Sequence, residues 1–347
     1  MSDISLIMPC YNRAYDLKNV LESYDKQVLD ENFEIIAIDD CSSDDTLRVL
    51  TSYKPKRYSL RIETFTENQG PAFARNRGIK LVESPVVMFV GDDILPDQFL
   101  VKGHLAAHRR YPEKNIAVLG RVIWPPDMPI NTLMKHIDGI GAQQFSYYYF
   151  QDEQEYDFRH FYTANISLKS DFLKSIEKKF DTEFTYAAFE DVELAYRLSK
   201  NNLKILYQSI LIGYHYHYHN IWTFSERQYK AGLMASLLIK KHPELTFRII
   251  GLHWYKLIIN HLLLKPISNK NNDIRPTLEI EILQRLSEFE WTPYPSQENH
   301  YLQTLNYFFY KGFIFGRLGE TPIANKICNN YAQKILTPIH TQFKEKQ

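Results

Sequence analysis

The sequence contains little cysteine and no excess of charge. Only three cysteines, Cys10, Cys41 and Cys328, occur in 347 residues, and their spacing predicts neither a disulfide framework nor a zinc site. We therefore expect the chain to fold in the reducing cytoplasm. Because 41 basic residues balance 41 acidic residues, no overall field attracts nucleic acid, and we expect no nucleic-acid partner. An anionic ligand would have to be bound by a local group of side chains.

Long apolar runs are also missing. The chain opens with Asp3 beside a short apolar stretch, which is not the pattern of a signal peptide. The longest apolar segment, Ile249–Leu264, is interrupted by histidine, lysine and asparagine and does not predict a membrane span. A buried helix is the favoured interpretation of this segment, and a helix on the membrane surface is the alternative. Peripheral contact of the C-terminal region with the inner face of the membrane therefore stays open.

Two kinds of pattern divide the chain. Up to residue 220, short β-rich runs alternate with amphipathic helical stretches, as in βαβ units; the predicted strands are 4–8, 34–39, 59–64, 86–90 and 116–122, and the predicted helices are 14–26, 45–53 and 71–82. The pattern then turns helical, with predicted helices at 222–241, 245–264, 278–288, 298–317 and 322–336. We therefore predict an α/β domain over residues 1–220 and a helical region over residues 221–347.

Polar residues follow the predicted strands. The first strand runs into Pro9-Cys10-Tyr11-Asn12-Arg13, the second ends in Asp39-Asp40, and the fourth runs into Gly91-Asp92-Asp93. Each loop taken alone is more simply explained as a turn or a helix cap. Together they indicate a ligand site, because open α/β sheets bind ligands in the crevice beyond the carboxyl ends of their strands.

Five segments, in the right order, resemble the family 2 glycosyltransferases of the GT-A fold. They are Met8–Arg13, Ile38–Asp44, Asn68–Gly78, Phe89–Asp93 and Phe189–Leu194, spread over roughly the first 230 residues. The third, with its N-x-G-x-x-x-A-R-N-x-G pattern, is the most specific. The resemblance implies a Rossmann-like mixed sheet flanked by helices, and an inverting, metal-dependent sugar transfer. In two departures, Cys41 replaces a usual glycine, and Gly91 replaces the first aspartate of the metal-binding D-x-D segment.

The resemblance also implies which residues bind the nucleotide sugar. They are Pro9, Tyr11, Arg13, Asp39, Asp40, Asn68, Gly70, Arg75, Asp92 and Asn165. Asp39 and Asp40 would bind base and ribose, and Asp92 would face the ribose. Arg75 has two open interpretations, a phosphate contact and a structural pairing with carboxylates. Asn165 is the weaker candidate, for a contact with the donor sugar.

A divalent cation would stabilise the charge that gathers on a departing diphosphate. Asp93 is the expected ligand for Mn²⁺ or Mg²⁺, and Mn²⁺ also accepts imidazole. His215, His217 and His219 alternate with tyrosines, so in an extended segment they would share one face. The resemblance points to His215 or His217 as a further metal ligand, although surface histidines without such a role are common.

Glu190 and Asp191 precede a helical pattern. Acidic residues at this position stabilise a helix N-terminus, which is the simpler explanation of the pair. The resemblance favours catalysis, with Asp191 as the base that takes the proton of the acceptor hydroxyl and Glu190 orienting the acceptor or the base.

The donor is expected to be UDP-linked, with dTDP and GDP sugars open, and the acceptor to be a glycan, a lipid-linked sugar or a protein. The resemblance favours a role in bacterial surface-glycan synthesis, and a homo-oligomer stays open. A nucleotidyltransferase is disfavoured, because no Gly-rich phosphate loop surrounds Cys10. A catalytically silent glycan-binding or scaffold protein would lose the metal or base carboxylates, whereas Asp93 and Asp191 are both present.

Overall fold

The structure is a computed structural model, and it describes residues 2–139, 143–250 and 296–319. Contacts divide the chain after His219 into two compact units, Met1–His219 and Asn220–Gln347, which we describe separately. Within the described ranges, every helix is too short or too polar to cross a membrane.

A single mixed sheet organises the first unit. Its described strands are β1 (Ile4–Cys10), β2 (Phe33–Asp39), β3 (Ser59–Thr64), β4 (Val86–Val90), β5 (Ile94–Pro96), β6 (Ile116–Ile123), β7 (Glu155–Tyr156), β8 (Asn165–Lys169) and β9 (Lys204–His215). They are ordered β3-β2-β1-β4-β8-β6-β9-β5, and β7 also pairs with β9. β1 to β4, β6 and β9 run in one direction, and β5, β7 and β8 oppose them. The carboxyl ends of six strands therefore lie at one edge.

Helices flank the sheet. In the described part of the first unit they are α1 (Ala14–Tyr24), α2 (Thr46–Ser52), α3 (Pro71–Leu81), α4 (Leu100–Arg110), α5 (Thr132–Asp138), α6 (Ser170–Lys174) and α7 (Glu190–Ser199). Leu6 of β1 belongs to the same buried cluster as Leu17 of α1. Ile7 points to the opposite face, where Gly78 lets α3 approach closely. Both faces of the central strands are covered, which explains their continuous apolar runs.

The predicted Rossmann-like mixed sheet flanked by helices is confirmed. β3 and β4 have the predicted bounds, β1 extends further, to Cys10, and α1 ends earlier, at Tyr24. Four strands lay outside the predicted set: β5, β7, β8 and β9. All four take part in antiparallel pairs, whose partners lie far away along the chain.

The second unit contains two long described helices, α8 (Ile221–Lys241) and α9 (Ser296–Leu318), and a short 3₁₀ turn at Pro243–Leu245. These bounds confirm the predicted helices 222–241 and 298–317 to within two residues. The helices pack closely, because Gly232 faces the Phe309 carbonyl and Gly312 faces the Tyr229 carbonyl, where a side chain would collide. The predicted helices 278–288 and 322–336, and most of 245–264, lie outside the described residues.

Candidate active site

The loops singled out by the sequence meet at the carboxyl edge of the sheet. Cys10 pairs with Asp39, so the loops after β1 and β2 start side by side. His215, the last residue of β9, pairs with Ile94, directly after the Asp92-Asp93 turn. Val90 pairs with Asn165, so the segment before β8 also lies at this edge. The fold thus brings together residues that are far apart along the chain.

Asp39 presents an acceptor atom without an internal partner. Its side chain is 1% exposed, and its Oδ2 accepts a hydrogen bond from the Thr64 hydroxyl at 3.0 Å. Its Oδ1 is buried and has no hydrogen-bond partner among the described residues. Because burying an unpaired carboxylate oxygen is costly, Asp39 is suited to accept an N–H from a bound base.

Asp40 instead stabilises the neighbouring loop. Its two carboxylate oxygens accept the backbone N–H groups of Gln69 and Gly70, both at 2.8 Å. The Asn68 amide donates to the Asp40 carbonyl at 3.1 Å. Gly70 has φ +85°, and a Cβ there would lie 2.9 Å from the Thr185 carbonyl oxygen, so this position requires glycine. Asp40, Asn68 and Gly70 therefore brace one loop at the edge of the site.

The loops after β1 and β2 are joined by hydrogen bonds. Asn12 and Cys41 both have left-handed backbone, with φ of 53° and 58°. Asn12 donates its N–H to Ser42 Oγ and accepts the Ser43 N–H at its side-chain oxygen. Cys41 thus adopts the conformation that glycine usually provides at its position, at a cost of about 1 kcal/mol.

Pro9, Tyr11 and Arg13 also lie at this edge. Pro9 is half-buried in β1, and Tyr11 is 49% exposed. The Tyr11 backbone N–H donates to Asp92 Oδ2 at 3.2 Å. Arg13 Nε lies 3.4 Å from Asp92 Oδ1, so this guanidinium carries the cationic charge nearest to the acidic turn among the described residues. The Tyr11 ring is free to contact a ligand.

Asp93, His215 and His217 form a cluster with the geometry of a metal site. One ligand atom from each lies within 4.8 Å of the others. Asp93 Oδ2 is 3.3 Å from His215 Nε2 and 3.3 Å from His217 Nδ1, and Arg13 Nη2 approaches Asp93 Oδ2 at 2.9 Å. One carboxylate and two imidazoles suit a divalent transition metal, and three protein ligands leave positions for diphosphate oxygens. The residues present therefore fit Mn²⁺.

The two aspartates of the turn have different electrostatic environments. Burial and the charge of Asp93 raise the pKa of Asp92 to about 7, against the opposing charge of Arg13. Burial also raises the pKa of Asp93, but the charge and hydrogen bond of His215, with His217 and Arg13, outweigh it and hold that pKa well below its usual value. Asp93 is thus the better anionic ligand of the two.

Two side chains around His215 were not among the predicted site residues. Trp124 stacks on the His215 ring at a centroid distance of 5.2 Å. The Gln144 amide contacts His215 Nδ1 at 3.1 Å, which leaves Nε2 directed at Asp93. Such outer contacts fix the orientation of a ligating imidazole. The sequence signal was weak, because a lone tryptophan or glutamine is common in any core or loop.

Glu190 and Asp191 begin α7 after a left-handed residue, Phe189, with φ 64°. Glu190 is 2% exposed, and its Oε1 pairs with Arg75 Nη1 at 2.8 Å. Arg75 therefore adopts the carboxylate pairing, with Glu190 as the partner. Asp191 is partly exposed. Burial and the charge of Glu190 raise the pKa of Asp191 to about 7, while Arg75 opposes the rise.

Aromatic residues connect the carboxylate pair to the metal-type cluster. The His215 ring lies 6.5 Å from Phe145, and Phe145 lies 5.1 Å from Tyr162, centroid to centroid. Burial raises the pKa of Tyr162, with the nearby charge of Asp191 among the further causes. Tyr162 immediately precedes the segment that enters β8 beside the end of β4. Two aromatic rings therefore link the surroundings of Asp191 to His215.

Asn165 corrects one expectation. Its side chain is fully buried, and its amide donates to the carbonyls of Arg121 at 3.2 Å and Leu211 at 2.9 Å. Its oxygen contacts His104 Nε2 at 2.9 Å. These bonds hold the irregularity where the register of β6 and β9 shifts after Gly120. Asn165 is therefore a structural residue inside the sheet and does not face the donor sugar.

Comparisons with known proteins agree with this architecture. A family model for glycosyl transferase family 2 matches residues 5–177. Validoxylamine A glucosyltransferase of Streptomyces hygroscopicus subsp. jinggangensis is 29% identical over 272 residues, covering 70% of this chain and 61% of the relative. The poly(ribitol-phosphate) beta-N-acetylglucosaminyltransferase TarS of Staphylococcus aureus is 34% identical over 94 residues, 27% of this chain and 16% of TarS. The chain thus spans less than two thirds of either relative.

Solved structures share the fold. The crystal structure of S. aureus TarS 1–349 in complex with UDP has a TM-score of 0.51 at 16% identity, covering 92% of this chain and 93% of that one. The mannosyltransferase of Pyrobaculum calidifontis, in complex with GDP-Man and Mn²⁺, has a TM-score of 0.58 at 14% identity, covering 92% and 88%. The fold and the polar edge of the sheet define a GT-A protein. The chain belongs to the family 2 glycosyltransferases.

Proposed function

We propose that this protein transfers a sugar from a nucleotide-diphosphate sugar to an acceptor hydroxyl, with inversion at the anomeric carbon and with a divalent metal ion. One observation carries the proposal. A cluster with the geometry of a metal site, formed by Asp93, His215 and His217, is linked through the rings of Phe145 and Tyr162 to a carboxylate, Asp191, whose pKa is raised to about 7. These are the two parts that the transfer requires, one for the leaving diphosphate and one for the incoming alcohol.

The donor is proposed to be UDP-linked. The unpartnered Oδ1 of Asp39 is an acceptor that suits the imide N–H of uracil. The UDP complex of TarS supports this choice, whereas the GDP-Man complex of the Pyrobaculum enzyme supports a guanine alternative. Thymine presents the same imide N–H, so dTDP sugars are the third candidate.

Asp93, His215 and His217 would hold the metal ion, and their two imidazole nitrogens favour Mn²⁺ over Mg²⁺. Such an ion, when bound, neutralises charge that gathers on the diphosphate leaving group. Arg13, which lies 2.9 Å from Asp93 and 3.4 Å from Asp92, adds a fixed positive charge at the same place. The diphosphate is expected to lie over this turn.

Asp191 is proposed as the base. It takes the proton of the acceptor hydroxyl while the hydroxyl oxygen forms a bond to the anomeric carbon. The bond from that carbon to the diphosphate breaks on the opposite face, and its electron pair leaves with the phosphate oxygen. A single displacement of this kind inverts the configuration. A pKa of about 7 suits a base that must be both ionised and basic at neutral pH.

We assign catalysis to residues 1–220 and contact with the acceptor, a membrane surface or a second subunit to residues 221–347. The acceptor is proposed to be a glycan, lipid-linked or protein hydroxyl in surface-glycan synthesis. The beta linkage and the poly(ribitol-phosphate) in the name of TarS support both the inverting outcome and this role.

The stereochemistry of donor hydrolysis tests this proposal. Purified protein with Mn²⁺ is incubated with UDP-α-glucose, UDP-α-N-acetylglucosamine, dTDP-α-glucose or GDP-α-mannose, and the released sugar is followed by proton NMR before it mutarotates. We expect the β-anomer to form first from one of these donors. First release of the α-anomer would contradict inversion, and no release from any donor would contradict the transfer activity.

A further inference from the structure

Arg75 and Glu190 form an ion pair beside the proposed base. Arg75 lies in the middle of α3, Glu190 is the first residue of α7, and Nη1 and Oε1 are 2.8 Å apart. The side chains are 10% and 3% exposed. The guanidinium carbon also lies 5.5 Å from the centre of the Phe180 ring. The pair therefore ties two helices together in a place that excludes most water.

The pair keeps two polar atoms unpartnered. Arg75 Nε and Glu190 Oε2 are buried without hydrogen-bond partners among the described residues. A pair that served stability alone is usually replaceable by apolar side chains of similar volume, because desolvation offsets much of the attraction. A buried charge pair with two unbonded polar atoms, directly next to the partly exposed carboxylate of Asp191, indicates a role in setting that carboxylate's environment.

We propose that Arg75 and Glu190 are positioning residues for Asp191, which is the sole proton acceptor of the pair of acidic residues that begins α7. Arg75 fixes Glu190 inside the protein, where it is 2% exposed, and Asp191 alone of the two is partly exposed. This role depends on the proposed transfer reaction. It assigns Arg75 to the acceptor side of the chemistry, and excludes it as a phosphate ligand.

The charges around Asp191 predict the direction in which each substitution shifts its pKa. Glu190 on its own helix raises the pKa of Asp191, second to burial, and Arg75 on α3 lowers it. Tyr162, from the segment before β8, also interacts with the charge of Asp191 and is neutral near pH 7 because burial raises its pKa. Removing Glu190's charge should therefore lower the pKa of Asp191, and removing Arg75's charge should raise it.

The test is the pH profile of donor hydrolysis, with whichever of UDP-glucose, UDP-N-acetylglucosamine, dTDP-glucose and GDP-mannose the wild type hydrolyses fastest. The acid limb of kcat/KM reports the base in the free enzyme. We expect Glu190→Gln to move this limb down by about one pH unit and Arg75→Met to move it up by a similar amount. The double variant should return it close to the wild-type position.

Arg77→Met is the matched control, because Arg77 lies on the same helix and its ion pair with Glu63 is on the surface. Its acid limb should stay in place. If Arg75→Met does not fold, Glu190→Gln and the double variant still decide the result, since neither leaves Glu190 charged and unpaired.

An acid limb of Glu190→Gln that coincides with that of a turning-over wild type would overturn the role of the pair, and so would a double variant whose acid limb stays at the position of Glu190→Gln. Shifts of both single variants in the same direction would also overturn it, because general structural damage produces no opposite signs. Absence of turnover in the wild type with every donor would instead overturn the proposed function, and the positioning role with it.

Discussion

Asp39 and Asp40 are adjacent in the sequence, but their carboxylates have different hydrogen-bond partners and therefore different roles. Asp39 has one buried oxygen without a hydrogen-bond partner among the described residues, whereas both oxygens of Asp40 accept hydrogen bonds from the backbone N–H groups of Gln69 and Gly70. A ligand can use the first carboxylate without disturbing the loop. The second is part of the loop's own structure.

The two aspartates should therefore respond differently to the same substitution. Asp39→Asn should weaken UDP binding about 10- to 100-fold, through the loss of a charge-assisted hydrogen bond of about 1.5–3 kcal/mol, with little change in stability. Asp40→Asn should lower the free energy of unfolding by about 1–3 kcal/mol, because one backbone N–H then faces an amide N–H₂. Calorimetric titration with UDP and urea unfolding measure the two effects. An equal loss of stability in both variants would contradict this division.

The buried histidines His104 and His108 make a further residue-scale prediction. Burial lowers the pKa of His104 to about 4, and burial with the charges of Lys169 and His104 lowers that of His108 to about 3. In the unfolded chain both rings take up protons near pH 6.5. Their stabilising contribution is therefore complete above pH 6.5 and is lost as the pH falls toward these folded-state pKa values.

His108→Gln should flatten this acid dependence. Glutamine can keep a hydrogen bond to the Ser167 hydroxyl, which lies 2.8 Å from His108 Nε2, and it does not titrate. Below pH 6.5 the free energy of unfolding of the wild type should fall more steeply than that of the variant, by about 1.4 kcal/mol per pH unit. Urea unfolding between pH 7.5 and 4.5 measures both slopes. Parallel slopes would show that His108 is protonated in the folded protein.

At the scale of elements, loops with unusual backbone hold the strand ends in place. Gly70 and Cys41 both have positive φ. At Gly70, in addition, a Cβ atom would collide with the carbonyl oxygen of Thr185. Gly70→Ala should lower the free energy of unfolding by about 1–3 kcal/mol. Cys41→Gly should raise it or leave it within about 1 kcal/mol, because glycine relieves the left-handed strain. Urea unfolding measures both, and a harmless Gly70→Ala would contradict the close contact.

The parallel part of the sheet could be predicted because its signals are local. β1 and β2 are short apolar runs, and a turn and then a helix follow each. The antiparallel strands have no such signature, since their partners are distant in sequence. The three alternating histidines were expected to share a face in an extended segment; β9 ends at His215, yet the rings of His217 and His219 still stack at 4.4 Å.

Individual side-chain partners were harder to predict than positions. The pairing of Arg75 with Glu190 depends on how α3 approaches α7, which no local pattern encodes. Asn165 was assigned to the donor sugar through the family resemblance, but its direction into the sheet depends on the β6–β9 irregularity. The sequence pattern therefore predicts which edge of the sheet carries the polar site residues. The directions of their side chains depend on tertiary packing, which no local pattern encodes.

At the scale of the whole molecule, the chain has 41 acidic and 41 basic residues and no net charge, so we expect the anionic donor and its metal ion to be bound by one local cluster. Mn²⁺ should therefore stabilise the folded protein by mass action, by about 2.7 kcal/mol at 100 times its Kd. His215→Ala should remove most of this gain. Tyr218→Ala is the matched control, because Tyr218 lies in the same segment and is 57% exposed. Thermal unfolding with and without Mn²⁺ measures this stabilisation. An equal stabilisation of His215→Ala would show that Mn²⁺ binds at another place.

The central claim is that a bound metal ion and a carboxylate base act on one nucleotide sugar at this edge of the sheet. Its most direct test is turnover of the donor panel with and without Mn²⁺ by the wild type, Asp93→Ala and Asp191→Asn, with the surface variant Asp45→Ala as control. We predict Mn²⁺-dependent turnover in the wild type and control, and a fall of about 10²–10⁴-fold in Asp191→Asn with Mn²⁺ stabilisation retained. Asp93→Ala should lose both turnover and stabilisation. Wild-type turnover that neither substitution changes would contradict the account.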